Sequence, residues 1–128
     1  MNVFNPKIFS ILLAFVLLAC SDRKKEVISF IEPKTEVING VAVSIFKVWG
    51  NCGMCKKTIE RSLDNEAISD VNWNSETKMM EVRYDATKIS LDDIQKEIAS
   101  VGYDTPNYKG NDSSYANLHE CCKYERKP

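Results

Sequence analysis

The order of hydrophobic periods between Val41 and Tyr108 restricts the fold more than any other feature of this chain. Val41 to Trp49 is rich in β-branched and aromatic residues and reads as a strand, with Phe46 and Val48 on one face. Asn51-Cys52-Gly53 breaks it. Cys55 to Asn65 then carries Ile59 and Leu63 four apart, the single buried stripe of a helix. Ile68, Val71 and Trp73 predict a second strand, Asn74 to Lys78 a polar turn, and the alternation of Met80, Val82 and Tyr84 a third strand. Ser90 followed by Asp92 and Asp93 starts a second helix, whose apolar face is Ile94, Ile98 and Val101 and whose stop is Gly102. Tyr103 to Tyr108 could be a short final edge strand, though Pro106 restricts it to an edge or loop. This order is the split βαβ arrangement. It predicts an α+β, ferredoxin-like βαββαβ sandwich with two helices on one face of an antiparallel sheet.

The flanks carry different information. Met1 to Lys7 precedes an almost wholly apolar run, Ile8 to Ala19, which falls short of the roughly 20 residues a membrane-crossing helix needs. Residues 1–19 therefore read as an export signal. Leu17-Leu18-Ala19-Cys20 looks like a bacterial lipobox, in which Cys20 is lipidated and becomes the mature N-terminus. The expectation is a lipid-anchored protein of the bacterial cell envelope, facing periplasm or exterior. An apolar anchor with an incidental cysteine is the plainer alternative. Residues 20–39 read as the lipidated N-terminus and a charged linker, with Val27 to Ile31 as an apolar exception that could add a short strand. The folded domain is assigned to 40–109 and a cysteine-containing tail to 110–128. Lys and Arg total 17 against 18 Asp and Glu, and no basic stripe is present, so nucleic acid is not an expected partner.

Five cysteines carry the chemistry. With Cys20 set aside for lipid, Cys52, Cys55, Cys121 and Cys122 remain. Cys52-Gly53-Met54-Cys55 sets two thiols where a strand yields to a helix, close enough for both sulfurs to converge. The helix N-terminus offers unpaired N–H groups and a positive dipole end, which favour thiolate. Thiolates without hard oxygen ligands select soft ions, and two of them suit linear or bent copper(I), whereas zinc prefers four ligands.

FKVWGNCGMCKKTIERSL, followed by VNWNSETKMMEVRYD and LDDIQKEIASVGYD, resembles the heavy-metal-associated domain of copper chaperones, metal-pumping ATPases and periplasmic mercury-binding proteins. The resemblance spans about Val41 to Asn107. It implies a ferredoxin-like fold and a metal held by Cys52 and Cys55, with copper(I) as the leading ion and mercury(II), zinc and cadmium as the others within the family's range. It also implies a non-enzymatic carrier whose partner is a metal-transporting ATPase or another CxxC metal-carrier domain. Tyr103 in VGYD stands where the family places an aromatic or basic residue near the site. The family commonly reads Met-x-Cys-x-x-Cys, its methionine supporting the loop from beneath; this chain has Gly50 in that place.

Plainer readings stand beside these. Cys52 and Cys55 could form a structural disulfide in a surface interaction module, or a thiol–disulfide oxidoreductase pair in which Cys52 attacks and Cys55 resolves. Met54 is soft enough to bind metal, yet middle residues of such loops usually point away. Trp49 and Trp73 read as strand or core aromatics, and Met79 and Met80 face opposite sides of a strand. The tail's His119-Glu120-Cys121-Cys122 has three readings that spacing leaves open. His119, Cys121 and Cys122 could complete the site at Cys52 and Cys55, form a second and weaker site, or be inert or disulfide-linked.

Overall fold

A computed structural model describes residues 32–128. The expected export signal of 1–19, the expected lipidation of Cys20 and the possible short strand at 27–31 lie outside the described residues. The elements are β1 (Lys34–Ile38), β2 (Val41–Lys47), α1 (Gly53–Arg61), β3 (Ile68–Trp73), β4 (Met79–Asp85), α2 (Leu91–Ser100) and α3 (Asp112–Ala116), then a 3-10 turn at Glu120–Cys122. The four strands make one antiparallel sheet in the order β1-β2-β4-β3.

Alternation along the strands decides which face is covered. Ala42, Ser44 and Phe46 of β2 sit opposite Tyr84, Val82 and Met80 of β4, and all six are buried. Trp73 of β3 joins them opposite Met80. Ile59 of α1, Leu63 just past its end, and Ile94 and Ile98 of α2 pack on this face. Each such side chain contributes about 1.5–3 kcal/mol by leaving water. Ser90 caps α2 through the Asp93 N–H at 3.1 Å, and the Asp93 carboxylate accepts the Ser90 N–H in return at 3.4 Å. The expected strand–helix–strand–strand–helix order is therefore present, on the ferredoxin-like plan.

Two expectations need correction. Tyr103 to Tyr108 does not become a strand. Its backbone turns on itself, with the Thr105 N–H donating to Tyr108 O at 2.8 Å, and touches the loop just past β2 through one hydrogen bond, Trp49 N to Asp104 O at 3.0 Å. The sheet edge beside β2 is filled by β1 instead, inside the stretch read as linker. Asn39 and Gly40 make this hairpin: both have positive φ, 53° and 82°, the geometry of the tight turn that matches strand twist. Five residue pairs follow, from Ile38 opposite Val41 to Lys34 opposite Ile45. The linker thus ends before Lys34, and the folded unit starts there rather than at residue 40.

The segment read as a tail also packs on the domain. Gly102, at φ 98°, ends α2 in a conformation other residues resist. A Cβ on Gly110 would lie 2.5 Å from the Gly102 carbonyl carbon, so the returning chain crosses backbone against backbone. From α3 onward it forms an arm that runs back across the end of the sheet. Tyr124 is its buried anchor. The Tyr124 hydroxyl donates to Gly102 O at 2.8 Å and accepts from the Asp104 N–H at 2.9 Å. Its ring stacks on Tyr103 and meets Tyr115 edge-on, with centroids 5.8 and 5.2 Å away. Arg126 adds a forked pair to buried Asp104, at 2.9 and 3.2 Å.

Candidate metal centre

The loop from Val48 to Cys52 is fixed from three directions. Beneath it, buried Trp73 donates its indole N–H to Val48 O at 3.1 Å. At its side, Lys78 donates to Asn51 O at 3.0 Å. From the arm, Lys123 O accepts from the Asn51 amide at 3.1 Å. A Cβ on Gly50 would sit 3.0 Å from two carbons of the Trp73 ring, so the indole occupies the space below the loop and glycine is what leaves room for it. Cys52 takes the N-cap position of α1, and Cys55 lies in its first turn. The Cys55 sulfur accepts the N–H groups of Asn51 and Cys52, at 3.3 and 3.4 Å.

The sulfurs of Cys52 and Cys55 are 3.8 Å apart, and none of the four described cysteines is in a disulfide. The arm brings a third sulfur: those of Cys52, Cys55 and Cys122 all lie within 4.8 Å of one another. Metal–thiolate bonds of about 2.3 Å put the sulfurs of a trigonal site about 4.0 Å apart. The spacing fits.

The heavy-metal-associated domain family matches residues 50–104. The copper chaperone CopZ of Staphylococcus aureus strain JH9 is 31% identical over 55 residues, which are 42% of this chain and 81% of that protein. Its counterpart in strain Newman gives the same figures. A solved CopZ metallochaperone is 31% identical and aligns over 49% of this chain and 97% of its own, with a TM-score of 0.47. This chain belongs to the heavy-metal-associated domain family.

That family binds metal ions and carries them without catalysis. Within this heavy-metal-associated domain the thiols differ sharply. The N–H groups of Cys55 and then Met54 face the Cys52 sulfur and lower its pKa to about 7. Burial, then the neighbouring Cys55, pushes Cys122 up to about 12. Hydrogen bonding to Cys52 raises Cys121. One thiol thus ionises near neutral pH, while the two thiols of the arm hold their protons more tightly. Tyr103 lies under the cluster, fully buried. Its hydroxyl has no hydrogen bond of regular geometry, yet burial and then the sulfurs of Cys55 and Cys122 hold its pKa far above that of a free phenol. It is a neutral polar floor for the sulfurs.

The arm divides the tail residues. Cys122 enters the three-sulfur set. Cys121 is exposed and stands outside that set, 3.8 Å from the Cys52 sulfur and 4.0 Å from that of Cys122. His119 is not brought into the cluster; its exposed residue caps the 3-10 turn and its carbonyl accepts the Cys122 N–H at 2.8 Å. Met54, read as turned away, is 47% exposed, but its sulfur lies 3.5 Å from that of Cys121. Nothing local in the sequence announces this contact, which needs the arm in place.

Proposed function

We propose that this protein carries copper(I) at the bacterial cell envelope, held to the membrane by lipid on Cys20, and passes it to a CxxC domain of a metal-transporting ATPase or similar carrier. The observation that carries the reading is the three-thiol cluster of Cys52, Cys55 and Cys122, with sulfurs within 4.8 Å. An all-sulfur, three-coordinate set favours copper(I). Tetrahedral zinc would want four sulfurs mutually about 3.8 Å apart; Cys121 is near that distance from Cys52 and Cys122 but does not join Cys55 in the mutually close set. Mercury(II) and cadmium are the rival ions for the same donors. The names of the similar S. aureus proteins point the same way as the donor chemistry.

Transfer follows from the exposure gradient. Cys52 is half-exposed while Cys55 and Cys122 are buried, so a partner thiolate attacks the ion from the Cys52 side. Each incoming sulfur replaces an outgoing one, and the ion is never bare. The test is elemental analysis of protein purified anaerobically from its native membrane, followed by mixing with a CxxC acceptor domain. Copper in the purified protein, lost in Cys52→Ser/Cys55→Ser and moving to the acceptor, supports the reading. Protein that retains no thiophilic ion ends it.

The oxidoreductase reading draws on one observation, a thiol of pKa about 7 beside a second sulfur at 3.8 Å. Insulin reduction separates the two. Robust turnover would favour redox chemistry over carriage.

A further inference from the structure

We infer that the rim of the cluster holds a second soft ion, bound by Cys121 Sγ and Met54 Sδ, with Cys52 Sγ shared between the two ions. The inference rests on the copper(I) reading of the inner three-thiol set and extends it to residues which that set leaves unused. The Cys121 sulfur is 3.5 Å from that of Met54 and 3.8 Å from that of Cys52, with Cys122 further off at 4.0 Å. These spacings match the edges of a trigonal sulfur site, about 4.0 Å at metal–sulfur bonds of about 2.3 Å. The donors are two thiols and a thioether, a combination that selects copper(I) over hard cations. Met54 also spends nearly half of its surface in water, where a thioether gains little from packing.

Cys121 reaches two of the inner sulfurs, Cys52 at 3.8 Å and Cys122 at 4.0 Å, but not the whole set. A thiolate sulfur has lone pairs enough to bridge two ions, and Cys52 sits between the groups. The two sites would differ in access. The inner one is walled by buried Cys55, Cys122 and Tyr103, while the rim has exposed Cys121 and Met54. Loading the rim releases the Cys121 proton to solvent; Cys52 has already lost its own to the inner ion, the thioether has none, and no electrons move. The rim ion is the one an arriving partner meets first.

The experiment titrates copper(I) anaerobically into the reduced full chain against a competing chelator, with Cys20→Ala in every arm to remove that thiol. The monomer is confirmed by sizing at each loading. Two ions per monomer are expected, the second weaker, with a copper–copper path in X-ray absorption. Cys121→Ser should weaken the second ion by at least about tenfold, the lower end for disturbing a metal's surroundings. Cys121→Ser/Met54→Leu should take one ion and lose the copper–copper path. Cys122→Ser should weaken the first ion instead. One ion in the parent chain at copper excess, two ions only in a dimer, or two ions retained by the double variant would each overturn the rim site while leaving the inner one standing. Failure to bind any ion would overturn the underlying reading itself.

Discussion

Deleting a single oxygen, by Tyr124→Phe, tests whether the arm is held where the fold places it. The ring and its stacking on Tyr103 and Tyr115 survive the change. What goes is a hydroxyl that donates to Gly102 O at 2.8 Å and accepts from the Asp104 N–H at 2.9 Å, both in buried surroundings. A hydrogen bond nets about 1 kcal/mol, and a buried N–H left without a partner costs about 1–3 kcal/mol. Gly102 O loses less, since a carbonyl has a second lone pair to satisfy elsewhere. The sum is about 2 kcal/mol against docking of the arm. At about 1.4 kcal/mol per factor of ten, the amides of Asp104 and Lys127 should exchange with solvent roughly 30-fold faster. Lys127 reports because its N–H donates to the Asp104 carboxylate at 2.7 Å. The assay is residue-resolved hydrogen exchange on the metal-free protein, with the β2 and β4 amides as internal reference. Acceleration below about threefold, or equal acceleration throughout the sheet, would refute the claim that this hydroxyl pins the arm.

Other outcomes follow from the same structure. Alkylation of Cys52 in metal-free protein should reach half its maximal rate near pH 7, the value to which the neighbouring N–H groups lower it. Because the folded pKa lies below the unfolded one, its stabilising effect is present at alkaline pH and disappears as pH falls through about 7; a midpoint near that of a free thiol would contradict this. Asp104 behaves likewise in acid. Burial opposes its charge, but Arg126 and the N–H groups of Gly110 and Lys127 overcome that and hold its pKa below the usual value. Arm docking should therefore be intact above the ordinary carboxylate range and weaken as pH drops beneath it, as limited proteolysis would show, and Arg126→Ala should cost about 2–3 kcal/mol at neutral pH by stripping a charged hydrogen-bond partner. Gly50→Ala should destabilise by about 1–3 kcal/mol through overpacking, since its Cβ would press on a Trp73 ring tethered to Val48. Chemical denaturation measures it, and Gly50→Ala/Trp73→Phe should recover part of the loss.

The sequence made the central βαββα run legible because each element buries a regular stripe: Phe46 with Val48, Ile59 with Leu63, Val82 with Tyr84, Ile94 with Ile98. The seat of Cys52 and Cys55 at the first strand–helix junction was legible for the same reason. β1 was not, because all five of its residues are exposed and KTEVI shows no apolar alternation. The signal that could have found it was Asn39-Gly40 ahead of a strand. The arm was opaque for a different reason. Tyr124 and Arg126 find their partners at Gly102 and Asp104, about 20 residues away, through hydrogen bonds that impose no period on the sequence. Cys122's approach to Cys55, and Met54's to Cys121, follow only once those contacts are made.

The pairing of Lys34 with Ile45 has a consequence for orientation. β1 runs opposite to β2, so the chain upstream of Lys34 leaves the sheet at the pole where β2 feeds into the sulfur-bearing loop. Thirteen residues lie between Cys20 and Lys34, a maximum reach of about 50 Å. The lipid proposed on Cys20 would therefore tether the domain at the end that carries the sulfurs.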